Sequence, residues 1–217
     1  MMRATIVLCL AAIAIGTQAA PAAPQPAAPK RDAFDQLFAR TMAKRETITS
    51  IRARFTETTT SSLLTKPIVA HGTVVAAPPA RVLMTYTDPE RRSVAIDAKA
   101  LVVFWPDRGQ RERIDISQTQ KRIDHYFTHA SIGDLRSMFD ITAAADPALA
   151  NSDRVEMRPK RKQIKEGLER LDLWIDRDTL LLVQMEIGFA GGDSKTIRLE
   201  DTAVNVPVTD KTFEIPR

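Results

Sequence analysis

The sequence predicts a mainly β fold with some α: a single curved antiparallel sheet, or half-open β-barrel, covered by an N-terminal helix and a short helical lid. Apolar residues recur at helical spacing from Asp32 to Ile48, which indicates an amphipathic helix. Most of the chain after it alternates apolar and polar residues in short segments separated by turns. A second amphipathic pattern, at 131–139, interrupts those segments. Strands joined by short turns pair antiparallel, and a long sheet curls and needs a cover for its apolar face.

The N-terminus has the layout of a secretory signal. Arg3 supplies a positive charge, an apolar run extends from Ala4 to Gly16, and small residues follow where a signal peptidase reads the chain. The run is shorter than the roughly 20 residues that a membrane-spanning helix needs. We therefore predict a signal peptide over residues 1–19, cleaved near Ala19, and a periplasmic location. A retained membrane anchor is the alternative.

The predicted exported chain consists of a linker and one domain. Residues 20–31 are mostly Ala and Pro, a composition that favours extended conformations and cannot bury a core. Residues 32–217 have the length of a single domain. The only cysteine, Cys9, lies in the predicted signal, so the exported chain has no disulfide, thiolate nucleophile or cysteine metal ligand.

Composition narrows the class of partner. The 217 residues are 44% hydrophobic and 27% charged, as in ordinary globular proteins, and the net charge of +4 is mild. Basic residues cluster at 108–113 and 158–165, which we interpret as solvated strand ends and turns or as a surface for anionic headgroups or an acidic partner. No aromatic residues are interleaved in these stretches, so a nucleic-acid partner is not expected.

The elements follow in order along the chain. Asp32 is the predicted N-cap of the first helix, and Ser131 that of the second. Thr142 to Ala150 is rich in alanine, contains a proline and is predicted to be a loop. The predicted strands lie at 51–58, 72–76, 81–87, 94–97, 101–105, 110–116, 154–157, 171–175, 183–189 and 197–199.

A chain of weak motifs, in order, resembles the LolA-type family of outer-membrane lipoprotein carriers, from Phe34 to Pro216. Ser62-Leu63-Leu64 with Pro67 is closer to a divergent branch of that family than to its main branch. The motifs that carry the resemblance are Phe55-Thr56-Glu57, Ala70-His71-Gly72-Thr73-Val74, Pro79 to Pro89 with Tyr86, Val94 to Asp97 followed by Leu101 to Pro106, Leu173-Trp174-Ile175-Asp176, Lys195 to Leu199, Asn205 and Phe213 to Pro216.

The resemblance implies a carrier without cofactor, metal or catalytic residues. Such a protein binds acylated lipoproteins or lipids, takes them from an inner-membrane transporter and passes them to an outer-membrane acceptor; we expect a monomer. Flexible methionines would let a pocket adapt to different acyl chains. The same residues would also suit an ordinary packed core. The residues predicted to bind lipid are Val82, Met84, Tyr86, Phe104, Met138, Leu173, Val183, Met185 and Ile187.

Two positions depart from the family pattern. Pro78 stands where the main branch has an arginine tied to lid closure, and Ala98 replaces a hairpin glycine. These departures leave the mechanism of lid closure undetermined. They also leave two alternatives for the cargo, a lipoprotein or another lipid. A periplasmic lipid-sensing regulatory module of the same fold is a further alternative.

An enzymatic function finds little support in the sequence. His125 and His129 are four residues apart, a spacing that can place two metal ligands on one helix face, but the glutamate of a zinc hydrolase motif is missing. Asp97, Asp172 and Asp176 are expected at turns or exposed strand positions, where a carboxylate is normally solvated. Neither a phosphate-binding loop nor a nucleophile elbow occurs.

Overall fold

The N-terminal helix, α1, begins at a capping residue and buries one apolar stripe. The structure, a computed structural model, describes residues 32–118 and 131–215. α1 spans Ala33–Glu46, and the side chain of Asp32 accepts a hydrogen bond of 3.0 Å from the backbone N–H of Asp35. This bond satisfies a donor that has no partner within the helix, which confirms the predicted N-cap. Phe34 and Leu37 are the buried residues of the helix.

Within residues 32–118 and 131–215, eleven strands form a single antiparallel sheet. The strand order is β6-β5-β4-β3-β2-β1-β11-β10-β9-β8-β7, so β1 and β11 join two meanders of sequential strands. The sheet is not closed, because β6 and β7 lie at its two edges. The predicted fold class is confirmed. The strands are β1 (Ile51–Thr60), β2 (Ile68–Ala77), β3 (Arg81–Asp88), β4 (Arg92–Ile96), β5 (Ala100–Trp105), β6 (Gln110–Asp115), β7 (Phe139–Ala145), β8 (Ser152–Pro159), β9 (Arg170–Asp176), β10 (Leu182–Gly188) and β11 (Ser194–Val204).

Two further α-helices lie wholly within the described residues, and both are short. α2 (Ile132–Met138) leads directly into β7, and its N-terminus is a capping box in which Ser131 and Asp134 bond each other's backbone N–H groups. α3 (Lys162–Lys165) lies between β8 and β9. Single 3₁₀ turns occur at Pro106–Arg108 and Asp210–Phe213.

One face of the sheet, here called the inner face, carries most of the apolar strand residues from β5 to β7. In β1, every second residue lies on the inner face, namely Ile51, Ala53 and Phe55. Their register partners on β2 and β11 lie on the same face. The helices α1 and α2 pack on this face over β7, β8 and β9. The buried residues of that contact are Phe34, Leu37, Leu135, Met138, Phe139, Val155 and Met157.

Most sequence predictions of secondary structure are confirmed, and most strands are longer than predicted, but part of one predicted loop is a strand. Thr142–Ala145 belongs to β7. Alanine has a low strand propensity, yet this segment is paired along its whole length with β8, from Phe139 opposite Pro159 to Ala145 opposite Asp153. Because Phe139 is almost fully buried and anchors the strand, tertiary pairing outweighs propensity.

Several predictions concern residues outside the described part of the chain. They are the signal peptide at 1–19, the linker at 20–31, and the histidine pair His125 and His129. Among the residues that are described, no helix has both the length and the apolar character needed to cross a membrane.

Candidate functional site

The inner face of β2 to β5 presents a row of half-buried apolar side chains. Register places Val74, Met84, Val94 and Val103 side by side on four neighbouring strands. None of these residues belongs to the buried cluster beneath α1 and α2. Among the described residues, the helices therefore cover the β7–β9 half of the inner face and leave the β2–β5 half accessible.

A groove of about 880 Å³ opens at one end of this accessible half. Its floor includes Ile51, Ala76 and Val82, which are neighbours in register on the inner face of β1, β2 and β3. Met42 and Ile48, at and after the last turns of α1, form an apolar wall. The volume lies in the range of about 300–1,000 Å³ that ligand sites occupy. The other lining residues are Arg45, Glu46, Thr49, Ser50, Ala77, Pro78, Pro79, Ala80 and Arg81.

Four polar residues form a charged cluster on the same face, near the opposite ends of the strands. Glu57, only 5% exposed, is at its centre. The Tyr86 hydroxyl donates a hydrogen bond to Glu57 Oε2 (2.9 Å), and Lys195 Nζ donates one to Oε1 (3.0 Å). Arg92 lies 3.8 Å from Glu57 Oε1, and its guanidinium carbon is 3.8 Å from the centroid of the Tyr86 ring. These residues are called the inner charged cluster below.

Tyr86 is held neutral within this cluster. Burial, together with the charge of Glu57, raises the pKa of Tyr86 to about 12. Its hydroxyl therefore stays a donor to the carboxylate at physiological pH. The ring packs edge-on against Phe55, with centroids 4.9 Å apart.

Six of the residues predicted to bind lipid share the inner face. Val82, Met84 and Tyr86 lie on β3, and Val82 lines the groove. Met185 and Leu173 are register neighbours on β10 and β9, and Ile187 follows on the same face of β10. Of these six, Leu173 packs against the buried cluster beneath the helices, and Tyr86 belongs to the inner charged cluster.

The other three predicted residues are placed differently. Phe104 pairs with Ser93, whereas Val94 pairs with Val103, so Phe104 points to the face opposite Met84. Val183 lies in a bulge, where the alternation that suggested its position is interrupted. Met138 is 2% exposed and is part of the packing between the helices and the sheet, away from the groove.

The aspartates considered as acid–base residues hold the structure together. Asp97 accepts two hydrogen bonds of 2.7 Å from the backbone N–H groups of Lys99 and Ala100, which lower its pKa. Asp176 accepts similar bonds in the β9–β10 turn. Asp172 is fully buried between Arg154 and Arg170, so its expected exposed position is wrong. Arg154 and Arg170 cover Asp172, and the alternation of apolar and polar residues along one strand does not reveal such a cover.

Sequence reasoning missed the charged part of the site. Glu57 and Lys195 continue the apolar alternation of Phe55 and of Ile197, so both charges fall on the inner face. The sequence did contain a signal for this cluster: a charged residue stands where the alternation of the strand predicts an apolar one. Met42 and Ile48 lie within the segment that the sequence predicts as a helix, and the groove that they line depends on tertiary contacts.

Residues 46–216 match the family model described as outer membrane lipoprotein carrier protein LolA. The chain belongs to the LolA family. No protein of curated function matches the sequence. The family assignment agrees with the single open antiparallel sheet and its helices.

Two solved structures of low sequence identity share the fold, and a third has a lower TM-score. An uncharacterized conserved protein from Thermus thermophilus is 11% identical with a TM-score of 0.55, covering 86% of this chain and 96% of that one. MucB is 12% identical with a TM-score of 0.51; the match covers 83% of this chain and 62% of MucB. A putative outer membrane lipoprotein-sorting protein domain from Vibrio parahaemolyticus is 11% identical, with a TM-score of 0.44 and coverage of 82% and 94%. At these identities the first two matches show a likeness of fold alone.

Proposed function

We propose that this LolA-family chain is a periplasmic carrier that holds the acyl chains of lipoproteins, or of another acylated lipid, against the inner face of its sheet. The observation that carries the proposal is the accessible apolar row on β2–β5, which runs into the groove beside α1. Family membership supports a carrier role for such a surface.

The energetics suit binding followed by release. Each methylene removed from water contributes about 0.8 kcal/mol, so a long acyl chain is held firmly. An accessible groove lets the cargo leave without unfolding of the domain. Met42, Met84 and Met185 are flexible side chains on or beside this surface, and they can adapt to chains of different length. We propose transfer from an inner-membrane transporter to an outer-membrane acceptor, with no chemical step.

The test compares a charge placed on each face of β3. Met84→Asp puts a carboxylate into the apolar row, whereas Thr85→Asp puts the same charge on the opposite face one residue away. Native mass spectrometry of protein purified from the periplasm should show acylated cargo on the parent and on Thr85→Asp. Met84→Asp should lose at least about tenfold, since desolvating a carboxylate costs well over 1.4 kcal/mol.

Two outcomes decide the proposal. If folded Met84→Asp carries as much acylated cargo as the parent, or if the parent carries none even after incubation with lipid vesicles, the inner face is not the binding surface. The mass of the bound species distinguishes a lipoprotein from another lipid. Transfer of that species to acceptor vesicles separates a carrier from a lipid-sensing regulatory module, which would retain it.

A further inference from the structure

We infer that the inner charged cluster binds the anionic headgroup of the cargo, a phosphate or a carboxylate attached to the acyl chains. This inference rests on the proposed function, because it assigns a headgroup site to the lipid whose tails lie on the inner face. It makes the preferred cargo an anionic amphiphile.

The cluster has more positive than negative charge. Two cations, Arg92 and Lys195, surround the single carboxylate of Glu57. Glu90 lies 4.0 Å from Arg92, but it also pairs with Arg108 and accepts a hydrogen bond of 3.2 Å from Trp105 Nε1. One unit of positive charge therefore remains beside an apolar surface, where an anion is attracted more strongly than in bulk water.

Arg92 is positioned to accept such an anion. Its two carboxylate contacts among the described residues, at 3.8 Å and 4.0 Å, are both longer than a hydrogen bond. Stacking on the Tyr86 ring fixes the guanidinium plane at the same time. The side chains of Arg92 and Lys195 are 25% and 34% exposed, so a ligand can reach both. A planar guanidinium fork matches the oxygens of a phosphate or a carboxylate.

The position of the cluster fits an amphiphile. Ile51 in the groove and Glu57 in the cluster are six residues apart on the inner face of β1. That separation is about 20 Å along an extended strand. A tail that follows the apolar row towards the groove thus leaves its headgroup at Arg92 and Lys195. Stability alone does not require these charges, since apolar residues commonly replace a buried ion pair without loss.

The experiment measures selectivity between lipids with identical tails. Parent protein is titrated with dioleoyl phosphatidylglycerol and dioleoyl phosphatidylcholine vesicles, and the bound lipid is counted by native mass spectrometry. The parent should prefer phosphatidylglycerol by about tenfold or more, the effect of one charge-assisted hydrogen bond. Oleate in place of the phospholipid tests whether a carboxylate serves as well as a phosphate.

Matched variants locate the selectivity. Arg92→Gln and, separately, the more exposed Lys195→Gln should reduce the preference towards equal binding, and Arg92→Lys should keep part of it. Arg52→Gln removes the same charge from the exposed opposite face of β1 and should retain the parent's preference. Circular dichroism establishes whether each variant is folded. If Arg92→Gln does not fold, Lys195→Gln provides the test of the headgroup site.

The outcomes separate this inference from the proposed function. Tight but equal binding of both lipids by the parent would overturn the headgroup site and leave the carrier function standing. A preference that survives in both Arg92→Gln and Lys195→Gln would place the selectivity elsewhere and overturn it too. Failure to bind either lipid would overturn the proposed function itself, and the headgroup site with it.

Discussion

Gly72 has a steric role at the centre of the accessible half of the sheet. A Cβ atom at this position would lie 2.2 Å from the carbonyl oxygen of Thr85 and 2.7 Å from the Phe55 ring. The missing side chain lets Phe55 lie across β2 and meet Tyr86 edge-on. The hydroxyl of Tyr86 donates a hydrogen bond to Glu57. Gly72 thus makes room for the Phe55–Tyr86 contact beside the inner charged cluster.

We expect Gly72→Ala to destabilise the domain by about 1–3 kcal/mol or more, the usual result of overpacking, because backbone atoms must shift to admit the methyl group. Urea unfolding followed by circular dichroism measures the change. Gly188→Ala is the matched control, since a Cβ there would make only ordinary contacts, the nearest at 3.6 Å. Equal stability of the two variants would contradict the steric role.

At the scale of elements, a salt-bridge pair joins the two helices that cover the sheet. Arg136 of α2 contacts both Asp32 and Asp35 at the N-terminus of α1, with 2.8 Å to Asp35 Oδ1. Its guanidinium also lies 5.4 Å from the centroid of the Phe34 ring. Hydrogen bonds and charge at these aspartates raise the pKa of Arg136. The contact therefore ties α1 to α2.

The contact can be measured by a double-mutant cycle of Asp35→Asn and Arg136→Gln. The pair is partly exposed, so we expect a coupling of about 0.5–1 kcal/mol in urea unfolding at pH 7. Additive single effects would show that the pair contributes nothing to helix docking.

The bond from the backbone N–H of Asp35, with help from Arg136, lowers the pKa of Asp32. The ionised Asp32 carboxylate therefore stabilises the folded state at neutral pH, and this stabilisation is lost as the pH falls through that lowered pKa.

Periodicity and capping predicted most elements, and tertiary structure explains the exceptions. Ser131 and Asp32 identified both helix starts because their capping bonds are local. Ala143 to Ala145 gave no strand signal, since their conformation depends on pairing with β8. For the site, Met84 and Met185 lie on the inner face, as the alternation of their strands indicates. Phe104 lies on the opposite face, which depends on the register of β5 with β4.

At the scale of the whole molecule, the two halves of the inner face differ in what covers them. Over β7–β9 the apolar side chains meet α1 and α2 in a buried cluster. Over β2–β5 the row around Met84 is half-buried, and Val82, two residues before Met84 on the same face, lines the groove. A second, smaller buried cluster of Phe55, Ala70 and Tyr86 supports this half from within the sheet. The first half therefore provides stability, and the second is where the proposed function places the cargo.

This division predicts where cargo changes the dynamics of the chain. Hydrogen exchange measured with and without dioleoyl phosphatidylglycerol should show slower exchange in β2, β3 and β4 and in the C-terminal turn of α1. The reason is that bound tails exclude water from the row and the groove. Exchange in β7, β8 and α2 should stay the same, because Met138 and Phe139 are already packed there. Protection concentrated in α2 and β7–β9 would contradict the division, since it would mean that the helices lift and the tails enter beneath them. The variant Arg136→Gln distinguishes the two routes further. If the cargo binds to the accessible half, the variant should show the same protection of β2–β4 as the parent. If α1 and α2 must separate to admit the cargo, the variant should take up more lipid than the parent.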